Sequence, residues 1–211
     1  MKTLLSIILI AALASFAGAE VLWDQSDYDA FGMGFFNSES GAPPFGLTQY
    51  CVNDVTVNGT WNITTISIYF GALDQGWGDG ITTGLLHVFP KTDVLPADLD
   101  DPTASLVVPM SGSFVDDAIV VVASDLELSL EPGEYWIGIT PVAPSGMWGP
   151  EANLPSMTLI GDASASYDPY GMPEPMWMNF VPGADASILI EGEMAVATES
   201  SSLTGIKELF R

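Results

Sequence analysis

Residues 50–70 commit the chain to β structure. Tyr50 to Val57 alternates, with Val55 and Val57 on one face, and Trp61 to Phe70 is dense in β-branched and aromatic residues that suit a pleated surface. Asn58-Gly59 stands between them. Both residues tolerate positive φ, so the pair predicts a hairpin turn joining two neighbouring strands. The return strand changes parity partway. Trp61 and Ile63 share one face of an extended chain, whereas Ile66, Ile68 and Phe70 share the other. One buried face cannot hold both sets in an unbroken strand, so a bulge or a sheet crossing is expected near Thr64-Thr65.

The rest of the chain repeats the theme on a smaller scale. Short apolar runs at Val21 to Trp23, Thr82 to Phe89, Ser105 to Val108, Ile119 to Leu126, Tyr135 to Thr140, Met176 to Phe180 and Ala186 to Glu191 are separated by Gly, Pro, Asp and Ser. Pro90 closes one run and Glu131-Pro132-Gly133 launches another. In Tyr135 to Thr140, Tyr135, Ile137 and Ile139 share a face opposite Trp136 and Gly138. Leu73 to Gly80 and Asp93 to Pro102 read as loops, and Pro141 to Tyr170 as a long turn-rich stretch. Strands drawn from such distant places, with almost no helical period, predict an all-β protein: one antiparallel β-sandwich, jelly-roll-like.

The ends of the chain are different. Lys2 precedes an apolar run from Leu4 to Phe16, and Ala17-Gly18-Ala19 is a small-x-small cleavage pattern, so residues 1–19 read as a secretory signal peptide cut between Ala19 and Glu20. The sandwich is expected over 20–193 and a linker with a short tail over 194–211. In the tail Leu203, Ile206 and Phe210 recur near helical spacing, with Lys207 and Arg211 close to the end; a helix this short is marginal in water, so the tail reads either as a frayed end or as a sorting or docking tag. No later apolar run is long enough to span a bilayer. The expected location is outside the cytoplasm, secreted or at the cell surface.

From Glu20 to Ala197 there are 25 Asp and Glu against one base, Lys91. Such a field repels nucleic-acid backbones and anionic lipid, and favours cations, basic partners or neutral polymers. Cys51 is alone, so no intrachain disulfide braces the fold, and it reads as a small buried hydrophobe.

Four segments taken in order, CVNDVTVNGTWNITTISIYF, GLLHVFP, LSLEPGEYWIGITP and MWMNFVPGADASILIEGE, resemble the exported bacterial β-sandwich domains found ahead of PEP-CTERM-type and other C-terminal sorting signals. The resemblance covers about three-quarters of the chain after residue 19. It implies a jelly-roll-like fold, an exported protein and no assigned catalytic residues. The tail departs from that family, because it has no Pro-Glu-Pro signal followed by an apolar helix and a basic cluster.

Chemistry has few places to sit. His87 is the only histidine, placed mid-strand on a face shared with Leu85 and Phe89, and no Gly-x-Ser-x-Gly elbow occurs, so nucleophilic catalysis is not expected. One His and one Cys do not make a zinc site. Calcium takes six to eight oxygens, and its candidates are Asp98, Asp100 and Asp101, with Asp74 and Asp79 as a second group. Rings among Gly and Pro, namely Trp77, Trp148, Tyr167, Tyr170 and Trp177, are candidates for a platform that stacks on sugar faces. The expected function is therefore non-catalytic: an exported domain that binds extracellular polymer, glycan or a surface protein, with Ca²⁺ bracing the acidic loops. The alternatives are a structural component of a matrix or envelope, and a glycoside hydrolase using paired carboxylates.

Overall fold

The longest strand explains how the two layers assemble. In the computed structural model, which describes residues 19–39, 48–71, 75–97, 101–102, 105–143, 152–167, 176–179 and 181–195, Trp61–Gly71 (β4) runs through the middle of one sheet. Trp61, Ile63, Ile66, Ile68 and Phe70 all point into the core. Both parity classes reach the same side because the strand slips by one residue. Against Ile188–Met194 (β14), Thr65 pairs with Glu191 and Ile63 with Gly192, which leaves Thr64 unmatched. The bulge stands where the sequence pattern demanded it. On its other edge β4 changes partner at the same place, pairing through Trp61–Ile63 with Leu128–Leu130 (β9) and through Ile66–Gly71 with Ala118–Ala123 (β8).

The first sheet is completed by Glu20–Gln25 (β1) outside β14, Ser111–Val115 (β7) outside β8, and two short pieces, Phe35–Phe36 (β2) and Ala152–Asn153 (β11), beyond the end of β14. The second sheet has the order Trp177–Met178 (β13), Ala165–Tyr167 (β12), Tyr50–Val57 (β3), Gly133–Pro141 (β10), Thr83–Pro90 (β5) and Leu106–Pro109 (β6). The named pairings in both sheets are antiparallel. The architecture is a β-sandwich. Val55 and Val57 of β3, and Ile137 and Ile139 of β10, meet the β4 residues across the layers, with Ile119, Val121, Ile188 and Ile190 beside them.

Three expectations are corrected. Asn58-Gly59 does not close a hairpin. β3 and β4 lie in different sheets, and neither residue has positive φ, so the turn is a corner by which the chain passes from one layer to the other. The tight two-residue hairpin is Asp116-Asp117, between β7 and β8, with Asp116 at φ 54°. Leu73 to Gly80 is not all loop. Gln75–Asp79 forms one helical turn (α1) that packs against β7 and closes the side of the sandwich. Lastly, β7, β9, β11 and β12 are strands of two to five residues, too short to show a period of their own, and stand where the sequence predicts none. No helix among the described residues is long and apolar enough to cross a membrane.

Candidate functional site

The second sheet is apolar on both faces, and its outer face holds the candidate site. Strand alternation puts Val55 and Val57 inward, so Tyr50, Val52 and Asp54 of β3 point outward. Trp136 of β10 lies opposite Asp54, and Leu85, His87 and Phe89 of β5 complete the row. An outward face this apolar must be covered. The chain after Pro90 and the strands β12 and β13 cover it, forming a second small core of Tyr50, Val52, Leu85, Trp136, Ala165 and Trp177, with Phe89, Leu95 and Tyr167 packed against it.

Rings dominate this layer. Tyr167 and Trp177 meet edge-on with centroids 5.2 Å apart, Phe89 and Trp177 at 6.0 Å, and Tyr50 and Tyr167 at 6.0 Å. Between Trp177 and residues Thr92–Ala97 lies an open groove of about 370 Å³. Leu95 and Pro96 give it apolar walls and Asp93 an exposed carboxylate at the rim. A smaller groove of about 210 Å³ follows the β4 bulge, lined by Asn62–Thr64 and Leu126–Ser129, and carries no aromatic ring.

Lys91 anchors the groove's covering segment. Its Nζ lies 3.3 Å from Asp54, 2.7 Å from Asp162 and 5.5 Å above the Trp136 ring. Burial by itself lowers its pKa, but the two carboxylates outweigh that and hold it above its ordinary value. Asp54 is nearly buried. Burial raises its carboxyl against the opposing pull of the Asp162 N–H and of Lys91. Gly161, at φ 77°, is required beside it, because a Cβ there would stand 2.1 Å from Asp54 Oδ2.

A polar chain runs through the same sheet. Thr140 Oγ1 donates to Asn37 Oδ1 at 2.6 Å, which also accepts the Cys51 N–H. With its own proton so used, Thr140 Oγ1 accepts from His87 Nε2–H at 2.8 Å. His87 Nδ1 is then the acceptor for the Ser105 hydroxyl at 2.7 Å. The network fixes one neutral tautomer, and complete burial lowers the His87 pKa to about 3. Sealed from solvent and held by two hydroxyls, His87 has no carboxylate partner among the described residues and serves to order the sheet.

Of the sequence-derived platform, Tyr167 and Trp177 are brought together. Trp77 is corrected: it lies on α1, wholly buried, against Phe70 at 5.0 Å, and is a core residue. Trp148 and Tyr170 lie outside the described residues, as do Asp74, Asp98 and Asp100. Asp79 and Asp101 are both exposed, and among the described residues no group of three or more His, Cys, Asp or Glu is placed to hold a metal ion. Glu20 opens β1, paired with Gly192. Cys51 is buried, and burial pushes its thiol up, as a small hydrophobe requires. Sequence reasoning missed Phe89, Leu95, Asp54 and Asp162. One signal pointed there, since Lys91 is the only base in a stretch with 25 acids.

No family model, curated protein or solved structure matches the chain. The likeness to exported bacterial sandwich domains therefore rests on the residues quoted for it.

Proposed function

We propose that the protein is a non-catalytic exported domain that binds a neutral glycan or polymer strand along the Trp177 groove. The observation that carries the reading is the groove itself, an open trough that the margin of the Trp177 indole (7% exposed) reaches, with Phe89 and Tyr167 packed edge-on behind it. Sugars present apolar C–H patches that suit the Leu95 and Pro96 walls and the accessible margin of the indole, and a rim carboxylate such as Asp93 accepts hydrogen bonds from their hydroxyls. A formal charge of −23 disfavours sulfated or uronic polymers and leaves neutral ones. The leader-like first nineteen residues agree with work outside the cytoplasm.

The test is titration calorimetry against a panel of neutral and anionic oligosaccharides. A neutral ligand should bind, and Trp177→Ala should weaken it tenfold or more while Trp77→Phe leaves affinity unchanged. Binding that survives loss of the Trp177 indole, or a preference for anionic sugars, removes the groove from the proposal.

A further inference from the structure

A second surface lies on the first sheet's side of the molecule, where two loops leave large apolar side chains in solvent. Residues 27–33 and 155–159 run side by side. The Asp29 N–H bonds to Pro155 O at 2.8 Å, the Met157 N–H to Asp27 O at 2.7 Å, and Tyr28 bridges Ser156. Asp27 ties the loops again by accepting from the hydroxyls of Ser156 and Thr158. The geometry is thus well held, yet Phe31 is 98% exposed, Met33 71%, Met157 66% and Leu159 61%. Scattered apolar residues on a surface are ordinary, but four large ones on two joined loops, two of them adaptable methionines, mark a contact surface. Around them Asp24, Asp27 and Asp29 are exposed, and Lys91 is the sole Lys or Arg among the described residues, held elsewhere by Asp54 and Asp162.

The occupant must be apolar on one side and basic at its edge. We propose that residues 203–211 of the same chain dock on this patch, with Leu203, Ile206 and Phe210 toward the Phe31 and Met157 loops and Lys207 and Arg211 toward the acidic rim. Two of the chain's four Lys and Arg fall in these last residues. The reach also fits. The chain leaves the described fold beside the start of β1, where the Met194 N–H meets Glu20 Oε1 and the Ala195 N–H meets Thr60 O. The patch begins at the other end of β1, where Gln25 Nε2 donates to Thr158 O. β1 spans roughly 17 Å at about 3.3 Å per residue, and residues 196–202, fully extended, span roughly 23 Å. A segment already tethered to its site needs little intrinsic affinity, because its effective concentration is on the order of millimolar.

The test is trypsin cleavage after Lys207 in the intact chain, followed by mass as release of Glu208–Arg211, with a synthetic peptide of residues 196–211 as the unprotected reference. Docking should slow cleavage tenfold or more relative to the peptide, independently of protein concentration. Met157→Ser with Phe31→Ser should restore the peptide's rate. Phe210→Ser should do the same without touching the sandwich, so that a folding defect in the double variant leaves the idea testable. Cleavage at the peptide's rate overturns the proposal. So does protection that survives all three substitutions, which would place the segment elsewhere, or protection that vanishes on dilution, which would place it on a second copy.

Discussion

His87 shows what a single buried polar residue does in this sheet. It is wholly enclosed, yet both ring nitrogens are satisfied, by Thr140 and Ser105, so the neutral form carries no desolvation debt. Protonation would break the Ser105 bond and bury a charge without a counter-ion. The linkage follows in sign. With the folded pKa depressed to about 3 and the unfolded value near 6.5, the contribution is whole above pH 6.5 and is lost as pH falls toward 3. The loss amounts to about 2 kcal/mol by pH 5. Unfolding free energies from urea titrations at pH 7, 6 and 5 should fall in the parent by that much more than in His87→Gln, whose own baseline will be lower because one hydroxyl loses its partner. Asp54 and Asp185, both raised by burial, titrate in both proteins and cancel from the difference. Equal slopes would mean that His87 takes up its proton in the folded state. At this scale the sequence was informative about packing. Cys51 reads as a small buried hydrophobe and His87 as a mid-strand structural residue, because each sits between apolar neighbours in a strand. The partners were hidden, because Asn37, Ser105 and Thr140 come from three distant elements that only the fold unites.

At the scale of the element, β4 and the corner before it separate what periodicity encodes from what it does not. A parity switch is a statement about one strand's faces, so it could be read from Trp61, Ile63, Ile66, Ile68 and Phe70 without knowing any neighbour. Whether Asn58-Gly59 pairs its flanking strands or sends them to different layers depends on who else competes for their edges. β10 and β12 take the two edges of β3, and β14, β8 and β9 those of β4. Two glycines test the distinction. Gly59 is not held at positive φ, and a Cβ there would meet only the flexible Met194 side chain, at 3.2 Å. Gly59→Ala should therefore change stability by less than about 0.5 kcal/mol, where a primed hairpin turn would suffer more. Gly192 of β14 faces the β4 bulge, where a Cβ would stand 2.1 Å from Asn62 O and 2.9 Å from the Ile63 Cα, both of them backbone. Gly192→Ala should cost about 1–3 kcal/mol in urea denaturation because the sheet itself has to move. The reverse ranking would restore the hairpin and remove the corner. The aromatic groove follows the same logic. Tyr167 and Trp177 were visible as rings near turns, whereas Trp77 looked identical in the sequence and belongs to the core because the single turn of α1 rotates it inward.

Over the whole molecule the dominant facts are charge and connectivity. The last described strand, β14, lies between β1, the first, and β4, so the first sheet cannot close until the chain is nearly complete. Pairings of such sequence separation are slow to form, because the entropy of loop closure is lost before contacts compensate. A formal charge of −23 adds repulsion to every such closure. Screening length falls from about 30 Å at 0.01 M salt to about 3 Å at 1 M, so the penalty can be tuned without touching a contact. Raising NaCl across that range should speed refolding severalfold and raise the melting temperature by several degrees, with KCl acting alike. Unfolding rates should change less, since a transition state that already buries most of the native surface carries most of the repulsion. Stopped-flow tryptophan fluorescence reads both arms, Trp61, Trp77 and Trp136 being fully buried. A response that saturated at low millimolar Ca²⁺ but was absent with NaCl would point to a bound cation instead of a screened field. No salt effect on either rate would mean that the acids are spaced widely enough in the compact state to ignore one another, and that the field matters for partners rather than for the fold.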